Sequence, residues 1–474
     1  MFLIPRPKFV ETESPAGNRK LPLYVRANMY PCPAQTLCDF VNRIRPETLS
    51  VGDCEEAITF CQNGALEPAA YEIIIDDTRV TITSGDEEGA FNGVSTLVQL
   101  LDREGYVPFV RISDGPSCSY RSVMLDLARV WHDFDLILQY IDLCRFYKIK
   151  VLHLHFTDYQ SYTLPSRLFP KLSTPGRSYS PEQIRRLCDY AKLRGVELVP
   201  EIDVPGHCVA FQQHYPDTFG TDGIIRFSER AIDSMKQLFG ELCDMFPDSK
   251  YIHIGGDEAE IGRWLDHHEN FDFYRSLGIE PEGQDTAYVK ERLYAAFVNE
   301  MANAVFEKGK QPIAWEGFKE CVNEFVRKDL IMVSWENYYQ TAPSLLKAGF
   351  QVINCSWQPL YVVTPRSFWS EREVFDWDVT TWIPVHDQSP YCGSFVKVED
   401  TPQIMGAGLC VWSDRIEQFY GDQIREGVKD EFELVKGRLP ALSENAWNRT
   451  KVRSFDEYLY ARVRDKWKVE TILK

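Results

Sequence analysis

The stretch Tyr251-Ile-His-Ile-Gly-Gly-Asp257-Glu258 combines a short apolar strand, two glycines and two adjacent carboxylates. The glycines allow a sharp turn and a close approach of a ligand to the backbone. The carboxylates can then serve chemistry, although acids at the start of a helix also stabilise that helix by opposing its dipole. The neighbouring strands decide between these two interpretations.

Short apolar strands and longer amphipathic helices alternate on both sides of this stretch, from Tyr120 onwards. This alternation predicts parallel strands joined by right-handed crossovers. Eight strands fit a (β/α)8 barrel better than an open sheet, and none is followed by the Gly-x-Gly-x-x-Gly motif of a dinucleotide-binding fold. The predicted strands are 122–127, 150–156, 196–202, 251–254, 312–315, 330–335, 351–354 and 407–412.

Helices are predicted between these strands, and a different pattern precedes them. The first residues contain a predicted β-hairpin, 71–75 and 79–83, which turns at Asp76-Asp77. We therefore expect a small α+β domain over 1–116, a (β/α)8 catalytic barrel over 117–420 and a helical C-terminal segment over 421–474 that packs on the barrel. The predicted helices are 34–44, 89–101, 134–147, 181–194, 229–246, 285–308, 319–327 and 341–348.

Composition narrows the class of protein. The chain has 474 residues and a net charge of -18, without a cluster of basic residues, which argues against a nucleic-acid or anionic-membrane partner. The opening Met1-Phe-Leu-Ile is interrupted by Pro5, and no apolar run approaches the ~18 residues of a membrane span. The 13 cysteines lie scattered, without the spacing of a disulfide framework or a structural metal site. These features predict a cytoplasmic protein.

The active site of a (β/α)8 barrel lies at the carboxyl ends of its strands. Strand two ends in His153-Leu-His155-Phe-Thr-Asp158, and strand three in Pro200-Glu201-Ile-Asp203-Val-Pro-Gly-His207. Tryptophans stand at three further ends. Three tryptophans in equivalent positions predict an aromatic box around a sugar, because the axial hydrogens of a pyranose are apolar. They are Trp315, Trp335 and Trp412.

These motifs resemble, in order, those of the β-N-acetylhexosaminidases, glycoside hydrolase family 20. Tyr120-Arg121-Ser-Val-Met-Leu-Asp126-Leu-Ala-Arg129 and Gly408-Leu-Cys-Val-Trp412 extend the resemblance over most of the chain. It implies a retaining exo-β-N-acetylhexosaminidase that uses substrate-assisted catalysis through an oxazolinium intermediate. The substrate would be a small oligosaccharide or glycoconjugate with terminal β-linked N-acetylglucosamine, or N-acetylgalactosamine, and neither cofactor nor metal would be needed.

The resemblance also implies individual roles. Glu258 would be the general acid and base, Asp257 would hold the N–H of the 2-acetamido group, and Tyr361 would donate a hydrogen bond to the acetamide oxygen. Arg121 would bind the ring hydroxyls, while Asp158 and His207 would support the acid. The residues placed around the substrate are Arg121, Asp158, His207, Trp315, Trp335, Trp412 and Asp414.

The spacing of the two acids independently favours a nucleophile from the substrate. A retaining glycosidase with its own nucleophile places two carboxyl groups ~5 to 5.5 Å apart across the anomeric carbon. Asp257 and Glu258 are adjacent, with Cα atoms ~3.8 Å apart, and approach that carbon from one side. We further expect burial among tryptophans and the charge of Asp257 to raise the pKa of Glu258.

Two departures from the family pattern concern the outer face of the sugar. Val362-Val363 follows Tyr361 where the family often has Leu-Asp, and Trp412-Ser-Asp414 stands in place of Trp-Gly-Glu. The contacts to O4 and O6 therefore stay open, and with them the choice between gluco and galacto sugars.

Two other functions compete with the glycosidase. His153-x-His155, whose side chains share one face of a strand, together with His207 suggests a metal-dependent amidohydrolase barrel. Against it, the later strands supply tryptophans where further histidine ligands are expected. A non-catalytic carbohydrate-binding barrel would keep the tryptophans but has no need of the Asp257-Glu258 pair.

Overall fold

A closed barrel of eight parallel strands forms the body of the protein. The computed structural model describes residues 2–12, 17–45, 48–365 and 369–474. The barrel closes because the strand Ile404–Trp412 pairs with both Gln351–Asn354 and Tyr120–Asp126. This confirms the predicted (β/α)8 fold. The strands are β1 Tyr120–Asp126, β2 Val151–His155, β3 Glu197–Glu201, β4 Tyr251–His253, β5 Gln311–Trp315, β6 Ile331–Ser334, β7 Gln351–Asn354 and β8 Ile404–Trp412.

Helices cover the outside of the barrel. The long ones are Phe134–Phe146, Pro181–Arg194, Glu229–Met245 and Thr286–Glu307, each within one residue of its prediction at both ends. Pro181–Arg194 illustrates the local signals: Ser180 caps its start in a capping box, and Gly195 ends it with φ of 61°. The shorter α-helices are Val209–His214, Pro216–Phe219, Phe271–Ser276, Ala342–Lys347, Trp357–Leu360, Glu371–Asp376 and Ile416–Tyr420, and the 3-10 helices are Ile261–Asp266, His268–Asn270, Glu320–Val322 and Gly421–Gln423.

The helix predicted over 319–327 is wrong. Only the 3-10 turn Glu320–Val322 forms there. The amide side chain of Asn299, on the neighbouring helix, accepts from the Arg327 backbone N–H at 3.1 Å and donates to the Phe325 carbonyl at 2.7 Å. Tertiary hydrogen bonds therefore replace the bonds that a continuing helix would make.

The residues before the barrel form a five-stranded sheet with two helices, Pro31–Ile44 and Glu87–Leu100. The predicted hairpin is confirmed, because Tyr71–Ile75 pairs antiparallel with Val80–Ser84. The order of strands across this sheet is Phe9–Thr12, Val110–Asp114, Tyr71–Ile75, Val80–Ser84 and Thr59–Gln62. Two-stranded pairs join Asn18–Lys20 to Tyr106–Pro108, and Tyr24–Val25 to Ser50–Val51.

The chain after β8 is helical, with Ile424–Asn448 and Phe455–Ile472, and the first of these packs against β8. The short strand Tyr361–Val363 lies beside the carboxyl end of β8, and Thr381–Trp382 pairs with Val396–Lys397. Within the described ranges, every helix is too short or too polar to cross a membrane. The division of the chain at residues 116 and 420 stays a prediction.

Candidate active site

The loop after β4 sends two neighbouring carboxylates in different directions. Gly255 and Gly256 have φ of 73° and 119°, which favour glycine. A Cβ on Gly255 would lie 1.9 Å from the Asp203 carboxylate, so this glycine also provides space. Beyond the turn, Asp257 is 7% exposed, whereas the Glu258 side chain is 56% exposed. The two acids therefore have separate environments.

Asp257 is a buried carboxylate with a free acceptor. Its Oδ1 is buried and has no hydrogen-bond partner among the described residues. Burial, and then the charge of Asp203, raise the pKa of Asp257 well above its ordinary value. A buried carboxylate without a donor is costly, so this oxygen favours a ligand that brings an N–H or O–H group.

Glu258 ends a chain of hydrogen-bonding groups. His207 Nε2 lies 3.5 Å from Glu258 Oε2, and His207 Nδ1 lies 3.1 Å from Asp158 Oδ1. Burial opposes protonation of His207, but the charge of Asp203 and the bond with Asp158 raise its pKa well above the ordinary value.

The sign predicted for the pKa of Glu258 is wrong in the free protein. The hydrogen bond with His207 lowers this pKa, and the charges of His207 and Arg129 act in the same direction, against the effect of burial. The expected influence of the tryptophans is weak because more than half of the side chain remains exposed. In the free protein the raised pKa of His207 and the lowered pKa of Glu258 therefore favour the proton on His207 over Glu258.

Arg121 does not lie at the active site, which corrects the role expected for it. It stands at the amino-terminal end of β1, and its side chain is 1% exposed. Its guanidinium donates to the carbonyls of Lys148 and Cys118 and pairs with Glu88 at 3.1 Å. These contacts join the barrel to the preceding helix, at the end opposite to Glu258.

Arg129 occupies the place expected for Arg121. It follows the carboxyl end of β1, donates to Asp126 at 3.1 Å and pairs with Asp158 at 2.8 Å. Its guanidinium carbon lies 4.8 Å from the centre of the Trp412 ring. The sequence contained this signal, since Arg121 precedes the predicted strand 122–127 and Arg129 follows it.

Aromatic rings form one cluster at the carboxyl ends of β5 to β8. The rings of Trp335 and Tyr361 lie 6.1 Å apart and nearly parallel, and Trp412 lies 6.1 Å from both Tyr361 and Trp315. Trp315 is 1% exposed and forms the floor of the cluster. Burial raises the pKa of Tyr361 well above its ordinary value, so its hydroxyl keeps its proton.

Trp357 belongs to the same cluster but was not singled out in the sequence. Its ring lies 5.5 Å from Tyr361 and 5.9 Å from Trp335. It lies three residues beyond the end of β7, while Trp315 and Trp412 are the last residues of their strands and Trp335 directly follows its strand. This position near a strand end is the signal that identifies it. Asp414, beyond the end of β8, is 41% exposed; burial raises its pKa, and the charge of Arg129 opposes this effect.

Glu201 stands in the motif that ends strand three, but no role was predicted for it from the sequence. Its Oε2 lies 2.8 Å from both His153 Nε2 and His155 Nδ1, and its Oε1 accepts from Trp315 Nε1 at 2.6 Å. His155 Nε2 continues to Asp158 at 3.0 Å. A continuous series of hydrogen bonds therefore joins the aromatic floor to the His207–Glu258 pair.

Among the residues that the structure describes, three sets of side chains bring potential metal ligands within 4.8 Å of one another: His153, Glu201, His253; His155, Glu201, Asp203; and Asp203, His207, Asp257. His155 faces carboxylates with both ring nitrogens and has a raised pKa, as does His207. Protonated rings lack the lone pair that a metal needs. The set around His153 and His253 is enclosed, whereas a catalytic metal keeps an open position.

The chain resembles known proteins in sequence. The beta-hexosaminidase subunit beta of Homo sapiens is 27% identical over 334 residues, which are 63% of this chain and 58% of that protein. The match therefore spans less than two thirds of the human subunit. The beta-hexosaminidase of Akkermansia muciniphila is 26% identical over 430 residues, which are 83% of this chain and 82% of that protein.

Solved structures share the fold. The GH20 exo-β-N-acetylglucosaminidase of Vibrio harveyi, in complex with N-acetylglucosamine, has a TM-score of 0.78 at 20% identity, covering 99% of this chain and 77% of the other. The β-N-acetylhexosaminidase of Bacteroides fragilis has a TM-score of 0.79 at 22% identity, covering 99% and 96%.

Two family models match the chain directly. "Glycosyl hydrolase family 20, domain 2" matches residues 2–115, before the barrel. "Glycosyl hydrolase family 20, catalytic domain" matches residues 118–450, which contain all eight barrel strands and the site around Glu258. The chain therefore belongs to glycosyl hydrolase family 20.

Proposed function

We propose that the protein is a retaining exo-β-N-acetylhexosaminidase that removes terminal β-linked N-acetylglucosamine from small oligosaccharides or glycoconjugates by substrate-assisted catalysis. The observation that carries this proposal is the contrast between the two adjacent acids. Asp257 is buried with an unpartnered oxygen, while Glu258 is exposed and connected to His207. Asp257 is therefore suited to holding one group of the ligand in place, and Glu258 is suited to proton transfer.

In the first step, the acetamide carbonyl oxygen of the substrate attacks the anomeric carbon. Glu258 donates a proton to the glycosidic oxygen, the bond between this oxygen and the carbon breaks, and the aglycone leaves as an alcohol. His207, which holds the shared proton in the free protein, returns it to Glu258. A bound sugar favours that return, because it excludes water from the exposed side of Glu258 and thereby raises the pKa of the acid.

Asp257 would act on the other side of the acetamide. Its free oxygen accepts the acetamide N–H and fixes the carbonyl oxygen in position for attack. Positive charge develops on the acetamide as the oxazolinium ring forms. The ionised Asp257, which burial and Asp203 destabilise in the free protein, is stabilised by that charge. The interaction is thus strongest near the transition state.

Tyr361 and the aromatic cluster complete the pocket. The Tyr361 hydroxyl would donate to the acetamide oxygen, and the faces of Trp335 and Trp412 would pack on the methyl group and the pyranose. Arg129, rather than Arg121, would bind the ring hydroxyls, and Asp414 would contact the outer ones. In the second step, Glu258 takes a proton from water, and the water oxygen attacks the anomeric carbon from the side of the departed aglycone. The bond between this carbon and the acetamide oxygen breaks, which restores the acetamide and leaves the product in the β configuration.

A panel of three p-nitrophenyl glycosides tests the function. We expect hydrolysis of the N-acetyl-β-glucosaminide and almost none of the plain β-glucoside, because only the former carries the nucleophile. The N-acetyl-β-galactosaminide measures selectivity at C4. Equal rates on the plain and acetamido glucosides would refute substrate assistance, and a matching thiazoline should inhibit strongly.

Variants of the two acids separate their roles. Glu258→Gln should lose roughly 10²- to 10⁴-fold in kcat/KM, as expected for a general acid. Asp257→Asn should lose activity while retaining the pH dependence that Glu258 and His207 confer. Near-normal turnover by Glu258→Gln would exclude this acid assignment.

A further inference from the structure

We infer that Tyr159 is a positioning residue for proton transfer: its ring covers the imidazole of His207 and holds that imidazole in place beside Glu258. This inference rests on the proposed function, and it adds a residue outside the two acids and the aromatic cluster. Tyr159 follows Asp158 beyond the carboxyl end of β2, on the catalytic face of the barrel.

The Tyr159 ring packs on the His207 ring. The centres of the two rings lie 5.1 Å apart, and their planes are inclined at 49°. His207 is 4% exposed, whereas Tyr159 is 45% exposed. The tyrosine therefore lies on the solvent side of the imidazole and shields it from water.

One carboxylate oxygen joins the backbone of Tyr159 to the ring of His207. Asp158 Oδ1 accepts from the Tyr159 backbone N–H at 2.6 Å and lies 3.1 Å from His207 Nδ1. The other oxygen of Asp158 lies 3.0 Å from His155 Nε2 and 2.8 Å from the Arg129 guanidinium. Because Asp158 is held at both oxygens, the tyrosine and the imidazole keep a fixed relative position.

The contact between His207 and Glu258 is sensitive to the orientation of the imidazole. His207 Nε2 lies 3.5 Å from Glu258 Oε2 and 3.9 Å from Asp203 Oδ2. Both distances are long for a hydrogen bond, so a small tilt of the ring would lose the contact with the acid. A ring packed against the imidazole restrains that tilt.

The tyrosine ring also favours the charged form of the imidazole. A cation within ~6 Å of an aromatic ring centre is attracted by that ring. Burial lowers the pKa of His207, but the charge of Asp203 and the hydrogen bond with Asp158 raise it well above the ordinary value. Water in place of the Tyr159 ring would screen these attractions, so the pKa would fall back towards its ordinary value.

The other groups around the imidazole are unchanged by a substitution at Tyr159. Carboxylates supply most of them, and they belong to the segments that follow β2, β3 and β4. The titratable or charged groups near the imidazole are Asp158, Tyr159, Asp203, Cys208, Asp257 and Glu258, and Arg129 pairs with the first of them.

Three substitutions separate the ring of Tyr159 from its hydroxyl. Tyr159→Phe keeps the ring and should retain kcat/KM within about twofold. Tyr159→Ala should lower kcat/KM for p-nitrophenyl N-acetyl-β-glucosaminide roughly tenfold and move the alkaline limb of the pH profile down by roughly half a unit to one unit. Tyr159→Leu, which covers the imidazole without an aromatic face, should fall between them. Tyr24→Ala, at a tyrosine that is 46% exposed in the region before the barrel, is the matched control and should change neither quantity.

Two aryl glycosides of nearly equal size measure proton transfer itself. The p-methoxyphenyl group leaves less readily than the p-nitrophenyl group and therefore depends more on the proton from Glu258. Tyr159→Ala should lose about fivefold more kcat/KM on the p-methoxyphenyl glycoside than on the p-nitrophenyl glycoside. In the Glu258→Gln background the same substitution should cause no further loss, because no proton transfer from this acid remains.

The outcomes separate this inference from the proposed function. Absence of p-nitrophenyl N-acetyl-β-glucosaminide hydrolysis by the wild-type protein would refute the function itself. Equal losses on the two aryl glycosides with an unmoved alkaline limb would overturn the role of Tyr159 alone, as would a further loss in the Glu258→Gln background. Thermal denaturation of each variant identifies a folding defect, and Tyr159→Leu carries the test if Tyr159→Ala unfolds.

Discussion

The imidazole of His207 lies 3.5 Å from the carboxylate of Glu258, and both residues have left-handed backbone, with φ of 46° and 49°. Such backbone costs a non-glycine residue about 1–3 kcal/mol and persists where the surroundings enforce it. The two residues therefore form a fixed pair, in which the raised pKa of His207 and the lowered pKa of Glu258 favour the proton on the ring. The pKa of His207 in this pair is raised mainly by two buried neighbours, Asp203 and Asp158.

Asp158→Asn should shift the alkaline limb of the pH profile. The pair keeps its proton until the pH rises through the raised pKa of His207, and Asp158 contributes to that raised value. Without the carboxylate charge, the pKa of His207 falls, and the alkaline limb of kcat/KM should move to lower pH by about one to two units. Asp244→Asn, an exposed acid, is the control, and an unchanged limb in Asp158→Asn would contradict the shared proton.

Glu201→Gln tests whether the buried glutamate positions the pocket. Glutamine can still accept from Trp315 but cannot accept from both His153 and His155. A displaced floor and acid pair should lower kcat/KM by about 10²-fold and alter the near-ultraviolet circular dichroism of the tryptophans. Glu241→Gln, buried behind Ser166 far from the pocket, controls for loss of a buried charge. If Glu201→Gln and Glu241→Gln had equal effects on kcat/KM, Glu201 would only stabilise the fold and would not position the pocket.

Alternation of strands and helices was sufficient to predict the barrel, because the periods of burial differ between the two elements and the strand ends converge on one face. Predictions from the sequence were wrong where contacts between residues distant in the chain determine the local structure or the pKa. Hydrogen bonds of Asn299 with Phe325 and Arg327 stand in place of the helix expected over 319–327, and Arg121 lies at the amino-terminal end of β1, away from the active site. The pKa of Glu258 depends on His207, a partner fixed only by the fold.

Arg129 and Arg121 should differ in what their removal changes. Arg129→Ala removes the cation that pairs with Asp158 and lies over Trp412, where the sugar is proposed to bind. It should lower kcat/KM roughly tenfold to a hundredfold. Arg121→Ala leaves the Lys148 and Cys118 carbonyls without this donor and removes one of the two cations that pair with Glu88, the other being Lys150 at 3.2 Å. It should destabilise the fold by about 3–5 kcal/mol. Steady-state kinetics and chemical denaturation of both variants measure these effects. A large kinetic defect in folded Arg121→Ala would restore the role first expected for it.

Chelation should not affect hydrolysis. The neighbouring carboxylates raise the pKa of His155 and of His207 well above the ordinary value, which favours protonated rings over metal ligands. Dialysis against EDTA is therefore expected to leave kcat/KM for the p-nitrophenyl glycoside unchanged. Atomic absorption before and after dialysis checks that any metal has been removed. Loss of activity that zinc restores would favour the metal-dependent hydrolase instead.

Gly317→Ala should damage the site by steric contact alone. A Cβ at Gly317 would lie 1.9 Å from the Gly256 carbonyl oxygen and 2.4 Å from the Tyr294 hydroxyl, which donates to that same oxygen. Backbone cannot yield as a flexible side chain does, so the turn that directs Asp257 and Glu258 must move. A displacement of this kind should lower kcat/KM by about 10²-fold.

Gly437→Ala is the matched control for this prediction. It lies inside the helix Ile424–Asn448, and an added Cβ there meets nothing within 4 Å. Alanine should therefore stabilise the protein by about 0.5–1 kcal/mol, because it restricts the unfolded chain, and should leave the kinetics unchanged. Gly317→Ala with wild-type kinetics would mean that the turn before Asp257 tolerates displacement, and the fixed geometry argued for the two acids would then be wrong.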